Sequence, residues 1–336
     1  MYGGVLFSYS QTYNQLGFDG IDDYVNLNSV SQSMVGSTSY TIEFWMSTDG
    51  STISGNYKSL FAINDASPGD NKLLIMIAGQ AFATPNRLLV YDDTGGSGSF
   101  EITSSTSIND GKCHHIAYVR NGNTGIAYLD GVLIGTHTAN NVLTSNNRYS
   151  LGQEWDLTNP SDFFKGMIDE VRIWSTSRTI GDIQNNMMNE LTGNETGLIA
   201  YYNMNQGTPL GNNAGLTTVT DITAGGYNGT LVNFGLIGGT SNWVLGNCLE
   251  HIGIDQNELK DHFRLYPNPT TNGLVNIETD LSISGQLQVA DMYGRVVYHS
   301  MFNESKSIDF TDYPGGIYNI VILTEGKAIN FRLVKN

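Results

Sequence analysis

The chain has 336 residues and a formal charge of -16, from 32 acidic against 16 basic residues. That excess of acid excludes a nucleic-acid partner, since nothing in the chain could neutralise a phosphate backbone, and it leaves many carboxylates for a hard cation such as calcium. Charged residues are only 14% of the chain, while glycine occupies 39 positions and aromatics 10%, a balance that predicts an all-β protein of short strands and turns.

Residues 1–10, MYGGVLFSYS, admit two readings: the tail of a secretory h-region with a mature end at Gln11, or an apolar first strand. Residues 1–15 are set apart on that ground. No stretch approaches the roughly 18 consecutive apolar residues that a membrane-spanning helix needs.

From 16 to 246, β-branched and aromatic runs alternate with Gly, Asn, Asp and Ser clusters at the spacing of a sandwich; YTIEFWMS (40–47), KLLIMIAG (72–79) and RLLVYDD (87–93) are examples. Residues 114–135 alternate clearly, which predicts a meander through an Asn121-Gly122-Asn123 turn and an Asp130-Gly131 turn. A helix is expected within 176–193, where Ile180, Ile183, Met187, Met188 and Leu191 recur at helical spacing before Gly193. Residues 247–262 are polar and lack alternation, as a linker does. A second β-rich unit then fills 263–336.

Asp169 and Glu170, in MIDEVRIW (167–174), are the best candidates for a glycosidase pair. Being adjacent, they point to opposite faces of a regular strand, and no further acid follows at the required alternation. His114 and His115 open an apolar strand, one facing the core and the other outward, and no motif sets a Ser or Cys nucleophile beside them; alternation turns Cys113 away from His114. These patterns point away from an enzyme. Cys113 and Cys248, the chain's two cysteines, allow no disulfide framework or Cys-based zinc site, and either one bridge or two separate thiols.

Several segments in order, FDGIDDYVNL (18–27), YTIEFWMS, CHHIAYVRNG, IAYLDGVLIG, FFKGMIDEVRIWSTSRT (163–179) and GLIAYYNMNQG (197–207), resemble the laminin-G-like family of concanavalin-type jelly rolls. Cys113 departs from it, standing where the family usually carries Trp. The resemblance implies a jelly-roll β-sandwich over 16–246 and a structural calcium ion, held by Asp19, Asp22, Asp23 and Asp169 if the first and last strands of the domain pair. Tyr201, Tyr202 and Trp243 alternate along strands and read as mainly structural, with exposed aromatics as the alternative sugar-stacking surface.

The last unit is similar to the type A C-terminal sorting domain of the type IX secretion system of Bacteroidetes. LYPNPTTNGLVNI (265–277) carries Tyr266, Pro267, Asn268, Pro269 and Gly273; DMYGRVVY (291–298) carries Asp291, Gly294 and Arg295; YPGGIYNIVI (313–322) carries Gly315, Gly316 and Tyr318; and FRLVKN closes with Lys335. The prolines suit a rigid strand entry, and Gly294 and the Gly315-Gly316 pair suit turns of permissive φ. The resemblance implies a small second β-sandwich and a secreted or surface location reached through the periplasm. Its implied partners are the translocon, an outer-membrane shuttle barrel and a sortase-like peptidase acting in 247–262. The first domain is then expected to be a binding or adhesin-like module for a glycan or protein ligand. A polysaccharide-active enzyme or a purely structural surface component is the alternative.

Overall fold

The computed structural model describes residues 14–66, 71–92, 102–246, 248, 262–279, 284–291, 296–303, 305–324 and 327–336. The expectations for residues 1–10, for nearly all of the linker and for Gly294 and Arg295 lie outside them. The chain divides into two compact units, Asn14–Val244 and a second that contains Leu245–Asn336.

In the larger unit the strands are β1 (Asn14–Asp19), β2 (Tyr24–Asn26), β3 (Ser39–Ser47), β4 (Tyr57–Asp65), β5 (Asn71–Ala78) and β6 (Arg87–Asp92). They continue as β7 (Ile102–Ser107), β8 (Cys113–Asn121), β9 (Thr124–Leu129), β10 (Val132–Thr138), β11 (Asn147–Leu151) and β12 (Glu154–Asp156). The last are β13 (Asn159–Ser161), β14 (Lys165–Trp174), β15 (Leu198–Tyr202), β16 (Thr218–Val219), β17 (Gly229–Val232) and β18 (Trp243–Leu245). One sheet runs β10-β9-β8-β3-β14-β1-β18 with β15 also on β14; the other runs β16-β17-β2-β11-β4-β5-β6-β7; β12 and β13 form a separate hairpin.

Alternation sorts the faces. Tyr40, Ile42, Phe44 and Met46 of β3 join Phe61, Ile63, Leu73, Ile75 and Ile77 of the opposite sheet in one buried core, and the rings of Phe44 and Phe61 stack across it at 6.5 Å. Strand β5 is apolar on its other face too, where Leu74, Met76 and Ala78 pack with Ala62 and Leu89. A strand buried on both faces reads as a continuous run, as KLLIMIA does.

Turn chemistry follows the sequence. Gly122, at φ 60°, opens the two-residue link from Asn121 to its partner Thr124, and Asp130 and Gly131 both adopt positive φ before β10, the geometry that a tight hairpin needs. The predicted helix is real but shorter than its apolar spacing: α1 (Ser31–Met34) is followed by α2 (Ile180–Asn186), capped by a reciprocal Thr179–Asp182 box. It stops early because side chains take its last carbonyls. Arg172 donates to the Asn186 and Asn189 carbonyls, and Trp45 Nε1 to that of Met187, so the orphan acceptors of the helix end are satisfied without another turn. Cys113 and Cys248 are disulfide-bonded, which decides for the bridge over separate thiols.

The second unit contains β19 (Phe263–Tyr266), β20 (Leu274–Thr279), β21 (Ser284–Asp291), β22 (Val296–Asn303), β23 (Ser305–Asp309), β24 (Gly316–Thr324) and β25 (Lys327–Lys335). Their order is β19-β20-β23-β22-β21-β24-β25. A parallel bridge between Thr270 and Lys335 joins the chain after β19 to β25, so the sheet wraps around Val275, Ile277, Leu287, Val289, Phe302, Ile308, Ile320 and Leu333. The fold is all-β throughout, with a sandwich in the first unit.

Two glycines test the packing. Gly152 has φ 80° and a Cβ there would fall 2.5 Å from the Phe18 ring, whereas Gly122 has φ 60° and open space around it. Gly122→Ala is expected to cost about 1–2 kcal/mol in urea unfolding, from backbone strain alone. Gly152→Ala should cost about 2–5 kcal/mol, because overpacking is added to that strain; equal losses would refute this packing.

Candidate functional site

Strands β1 and β14 pair, as the calcium expectation required, but the register sets Leu16 against Ile168 and Asp19 against Lys165. Asp169 therefore lies four residues along β14 from the partner of Asp19, about 13 Å at 3.3 Å per residue. Asp19, Asp22 and Asp23 do converge, each offering a carboxylate oxygen within 4.8 Å of the others. Asp23 is fully buried, accepting from the Asp19 amide at 2.9 Å and the Ser241 hydroxyl at 2.8 Å. Burial, reinforced by the charges of Asp19 and Asp22, pushes its carboxyl up to about 6. Asp19 caps its own turn through Ile21 N, and Asp22 is exposed. Three carboxylates so close can hold a cation or serve as the staple of the β1–β2 loop.

Asp169 and Glu170 do not alternate as a regular strand would place them. Glu170 has φ 53° and the β14–β3 register shifts between Asp169 and Arg172, a bulge that leaves both acids buried. Glu170 Oε2 accepts from Arg172 at 2.6 Å and from the Tyr201 hydroxyl at 2.5 Å. Glu43 joins them from β3, taking the Trp174 indole proton at 2.9 Å and lying 3.9 Å from both Arg172 and Arg178. His115 faces away from the core, as alternation predicts for one of the pair, yet it is buried. It lies 3.7 Å from Glu43 and its ring meets Trp45 at 5.2 Å, because Ile183 of α2 covers that face of β8 beside Ala117 and Val119. His114 is held between Asp110 and Asp130. The sequence did not single out Glu43, which sits in an apolar run. Tyr201, Tyr202 and Trp243 are fully buried.

An open pocket of about 110 Å³ lies at one end of the sandwich, where Thr48, Thr52, Ser54, Asn109 and Phe163 meet the exposed Lys165–Asp49 pair, 2.8 Å apart. Asn109 donates to the Ser51 carbonyl and to Asn86, while its Oδ1 is buried without a partner. The loops that build this pocket carry no sequence motif.

A further acidic corner surrounds the β12–β13 hairpin. Burial, then the charges of Asp156 and Asp162, pushes Glu154 up to about 7; burial likewise lifts Asp162 to about 6, opposed by Lys58.

In the second unit, the motif residues converge on the chain end. The Asn268 amide donates to the Arg332 carbonyl at 2.7 Å and accepts from Val334 N at 3.0 Å, and Asn336 N donates to Thr270 O at 3.0 Å. The Lys335 ammonium donates to the carbonyls of Phe310 at 2.6 Å, Thr311 at 3.0 Å and Tyr313. Tyr266 donates to Glu278 and Tyr318 to the Pro314 carbonyl. The bonds before Pro267 and Pro269 are both cis, and Gly273 has φ 79° with no room for a Cβ beside the Thr311 backbone. Asp291 ends β21, opposite Tyr318. Gly315 and Gly316 depart from expectation: neither is among the positive-φ glycines, since Gly316 already pairs with Lys335 at the start of β24.

The structure is thus that of two compact β units, a jelly roll and a terminal β-domain. Residues 19–184 match the family described as the concanavalin A-like lectin/glucanases superfamily, and residues 264–336 match the secretion system C-terminal sorting domain. The chain carries a domain of each family. It is cargo of the type IX secretion system, bound for the cell surface or the medium. No helix among the described residues is long and apolar enough to cross a membrane.

Among solved structures, a Bacteroides ovatus protein proposed to bind carbohydrate is 17% identical, over 66% of this chain and 58% of its own, with a TM-score of 0.46. This chain therefore spans less than two thirds of that protein. A heptameric SAP-like pentraxin of Limulus polyphemus is 14% identical over 52% and 81%, with a TM-score of 0.40. The CBM40 of a Ruminococcus gnavus sialidase, bound to α2,3-sialyllactose, is 11% identical over 52% and 98%, with a TM-score of 0.41. No curated protein matches the chain.

Burial, then the Arg172 charge, holds the His115 imidazole down at about 3. Since the unfolded chain titrates near pH 6.5, protons bind the unfolded state preferentially below that value. This contribution to stability is complete above pH 6.5 and is lost as the pH falls towards 3. His115→Gln should therefore lose its disadvantage against the wild type by up to about 1.4 kcal/mol per pH unit below 6.5. Urea unfolding at pH 7, 5 and 4 measures this; a pH-independent difference would show that the imidazole is not held neutral.

Proposed function

We propose that the jelly roll is a binding module displayed at the bacterial surface, that its ligand is a glycan, and that it has no catalytic activity of its own. The end pocket carries this reading. Its lining offers hydroxyls, a half-buried Phe163 and a charged pair at the rim. Such a mixture suits a sugar, whose hydroxyls donate to free acceptors while its apolar face rests on a ring. Glu170 of the β14 motif is buried in an ion pair with Arg172 and His115 of the β8 motif is buried and held neutral, which argues against their use as a nucleophile or general acid.

Calcium at Asp19, Asp22 and Asp23 would relieve the repulsion around Asp23 and fix the β1–β2 loop, whose Asp19 and Gly20 also line the pocket. Asp169 is too far along β14 to join them. The sorting signal is then the bundle around the chain end, in which Tyr266 to Pro269, Gly273, Asp291, Gly315, Gly316, Tyr318 and Lys335 present β25 to the shuttle barrel of the translocon. Cleavage by a sortase-like peptidase would fall within 247–262.

Two outcomes are expected. In a host with a working type IX system, deletion of 263–336 should trap the first domain in the periplasm, and Lys335→Ala should reduce surface display by weakening the chain-end contacts; undiminished display of the deletion would sink the sorting role. On a glycan array, the wild type should bind a defined set of sugars. Ser54→Trp, which fills the pocket from an exposed position, should weaken that binding more than tenfold with an unchanged melting temperature, and array binding indifferent to Ser54→Trp would move the site elsewhere.

A further inference from the structure

The two histidines of the β8 motif are held in opposite states. His115 is buried and neutral. His114, 9% exposed, turns both ring nitrogens to carboxylates: Nδ1 lies 2.8 Å from Asp130 Oδ2, and Nε2 lies 3.1 Å from Asp110 Oδ1. A carboxylate oxygen only accepts, so each nitrogen must carry a proton, and only the imidazolium carries two. A neutral ring would aim one lone pair at a negative oxygen. The cross-strand partner on β3 is the uncharged Met46, the adjacent Cys113 is disulfide-bonded, and Lys112 Nζ stands 4.0 Å from Asp110 Oδ2. Burial alone would lower the imidazole, but the hydrogen bonds and charges of Asp130 and Asp110 outweigh it and raise the group above its ordinary value.

The two carboxylates differ in how firmly they are built in. Asp130 is fixed to β8, since its Oδ1 accepts from His115 N at 2.8 Å and its own amide donates to the His115 carbonyl at 2.7 Å. Asp110 belongs to the loop between β7 and β8, and its remaining partners, the Lys112 amide at 3.0 Å and the Lys112 ammonium, lie in that same loop. The residue before it, Asn109, lines the end pocket and donates to the Ser51 carbonyl at 2.9 Å. Two walls of the pocket, residues 48–54 and Asn109, are thus joined to each other and reach β9 through the His114 ring.

We propose that His114 is a positioning residue for the end pocket and acts as a pH-operated clamp on its wall. Protonated, the ring ties the β7–β8 loop to the rigid Asp130. When it gives one proton to solvent, the remaining proton stays with the nearer and fixed Asp130, and the bare Nε2 repels Asp110 and frees the loop. Because the folded value is raised, the clamp is complete below about pH 6.5, where the imidazole is charged even in the unfolded chain, and it opens as the pH rises through the folded value. Its effect on affinity rests on the glycan reading of the pocket; the clamp itself does not.

The chain has six histidines, few enough for nitrogen-15 labelling of the imidazoles to resolve His114 in the full-length protein. At pH 7 both of its ring nitrogens should be protonated, a signature absent from His114→Gln. Its titration should lie above the ordinary value of about 6.5, with the Asp110 and Lys112 amide resonances shifting along the same curve. Asp110→Asn should move that titration down, and it identifies the resonance should His114→Gln fail to fold. A single protonated nitrogen at pH 7, a titration at or below the ordinary value, or loop amides indifferent to it would each overturn the clamp. On a glycan array, sugars bound at pH 6 should lose about tenfold in affinity at pH 9, an ordinary size for a coupling between linked sites. Asp110→Asn should flatten that dependence, because an amide can pair with either state of the ring. Equal binding by the wild type at both pH values overturns the control of the pocket, whereas an array blank at both refutes the glycan reading while the imidazole titration still decides the clamp.

Discussion

The first domain is organised around one guanidinium. Arg172 lies fully buried in the middle of β14, bonded to Glu170 on its own strand and 3.9 Å from Glu43 on β3. Its ring neighbour is Tyr201 of β15, at 5.4 Å, and its terminal nitrogens also donate to the carbonyls of Asn186 and Asn189 at the end of α2. Removing one partner of such a buried set typically costs about 3–5 kcal/mol, because the other charge is left uncompensated. Glu170 and Arg172, two residues apart, share a face by ordinary alternation; the bulge between Asp169 and Arg172 lets Ile168 and Val171, three residues apart, both enter the core. The helix end, the burial of His115 and the two-sided packing of the sheet all follow from the same cluster.

Much of this was legible in the sequence where a local rule governs it. The hairpin turns at Gly122 and Asp130-Gly131, the apolar faces of β3 and β8 and the existence of α2 each depend on residues close together in the chain. What alternation alone could not show was the bulge, since it is set by the pairing of β14 with β3, a strand more than a hundred residues away. Register was the other gap. Pairing of β1 with β14 followed from the jelly-roll resemblance, but a shift of a few residues decides whether Asp169 stands beside Asp19, and no local pattern sets it. The end pocket was silent for the same reason, because its loops meet only in three dimensions.

The second unit shows the opposite relation between sequence and structure. Its motifs are far apart along the chain yet converge on the last five residues. Asn268 replaces a strand's donor and acceptor pattern with one side-chain amide, and Lys335 gathers the carbonyls of Phe310, Thr311 and Tyr313. A terminal strand normally frays because nothing follows it. Here both flanks of the end are held, by β24 on one side and by the Asn268–Thr270 segment on the other. This arrangement holds the chain end in one conformation at little cost in chain length.

Acidity connects the two units through the destination of the protein. With twice as many acids as bases, the jelly roll brings Asp19, Asp22 and Asp23 within 4.8 Å of one another. Inside a cell, where free calcium is scarce, such clusters would be a net loss of stability. Outside it, extracellular modules hold calcium with dissociation constants of about 10⁻⁴–10⁻³ M. Binding of one ion at a tenfold excess over that constant would add about 1.4 kcal/mol to the folded state. A domain that bound calcium there would be most stable outside the cell, and the oxidised state of Cys113 and Cys248 points the same way, since a disulfide persists in an oxidising compartment.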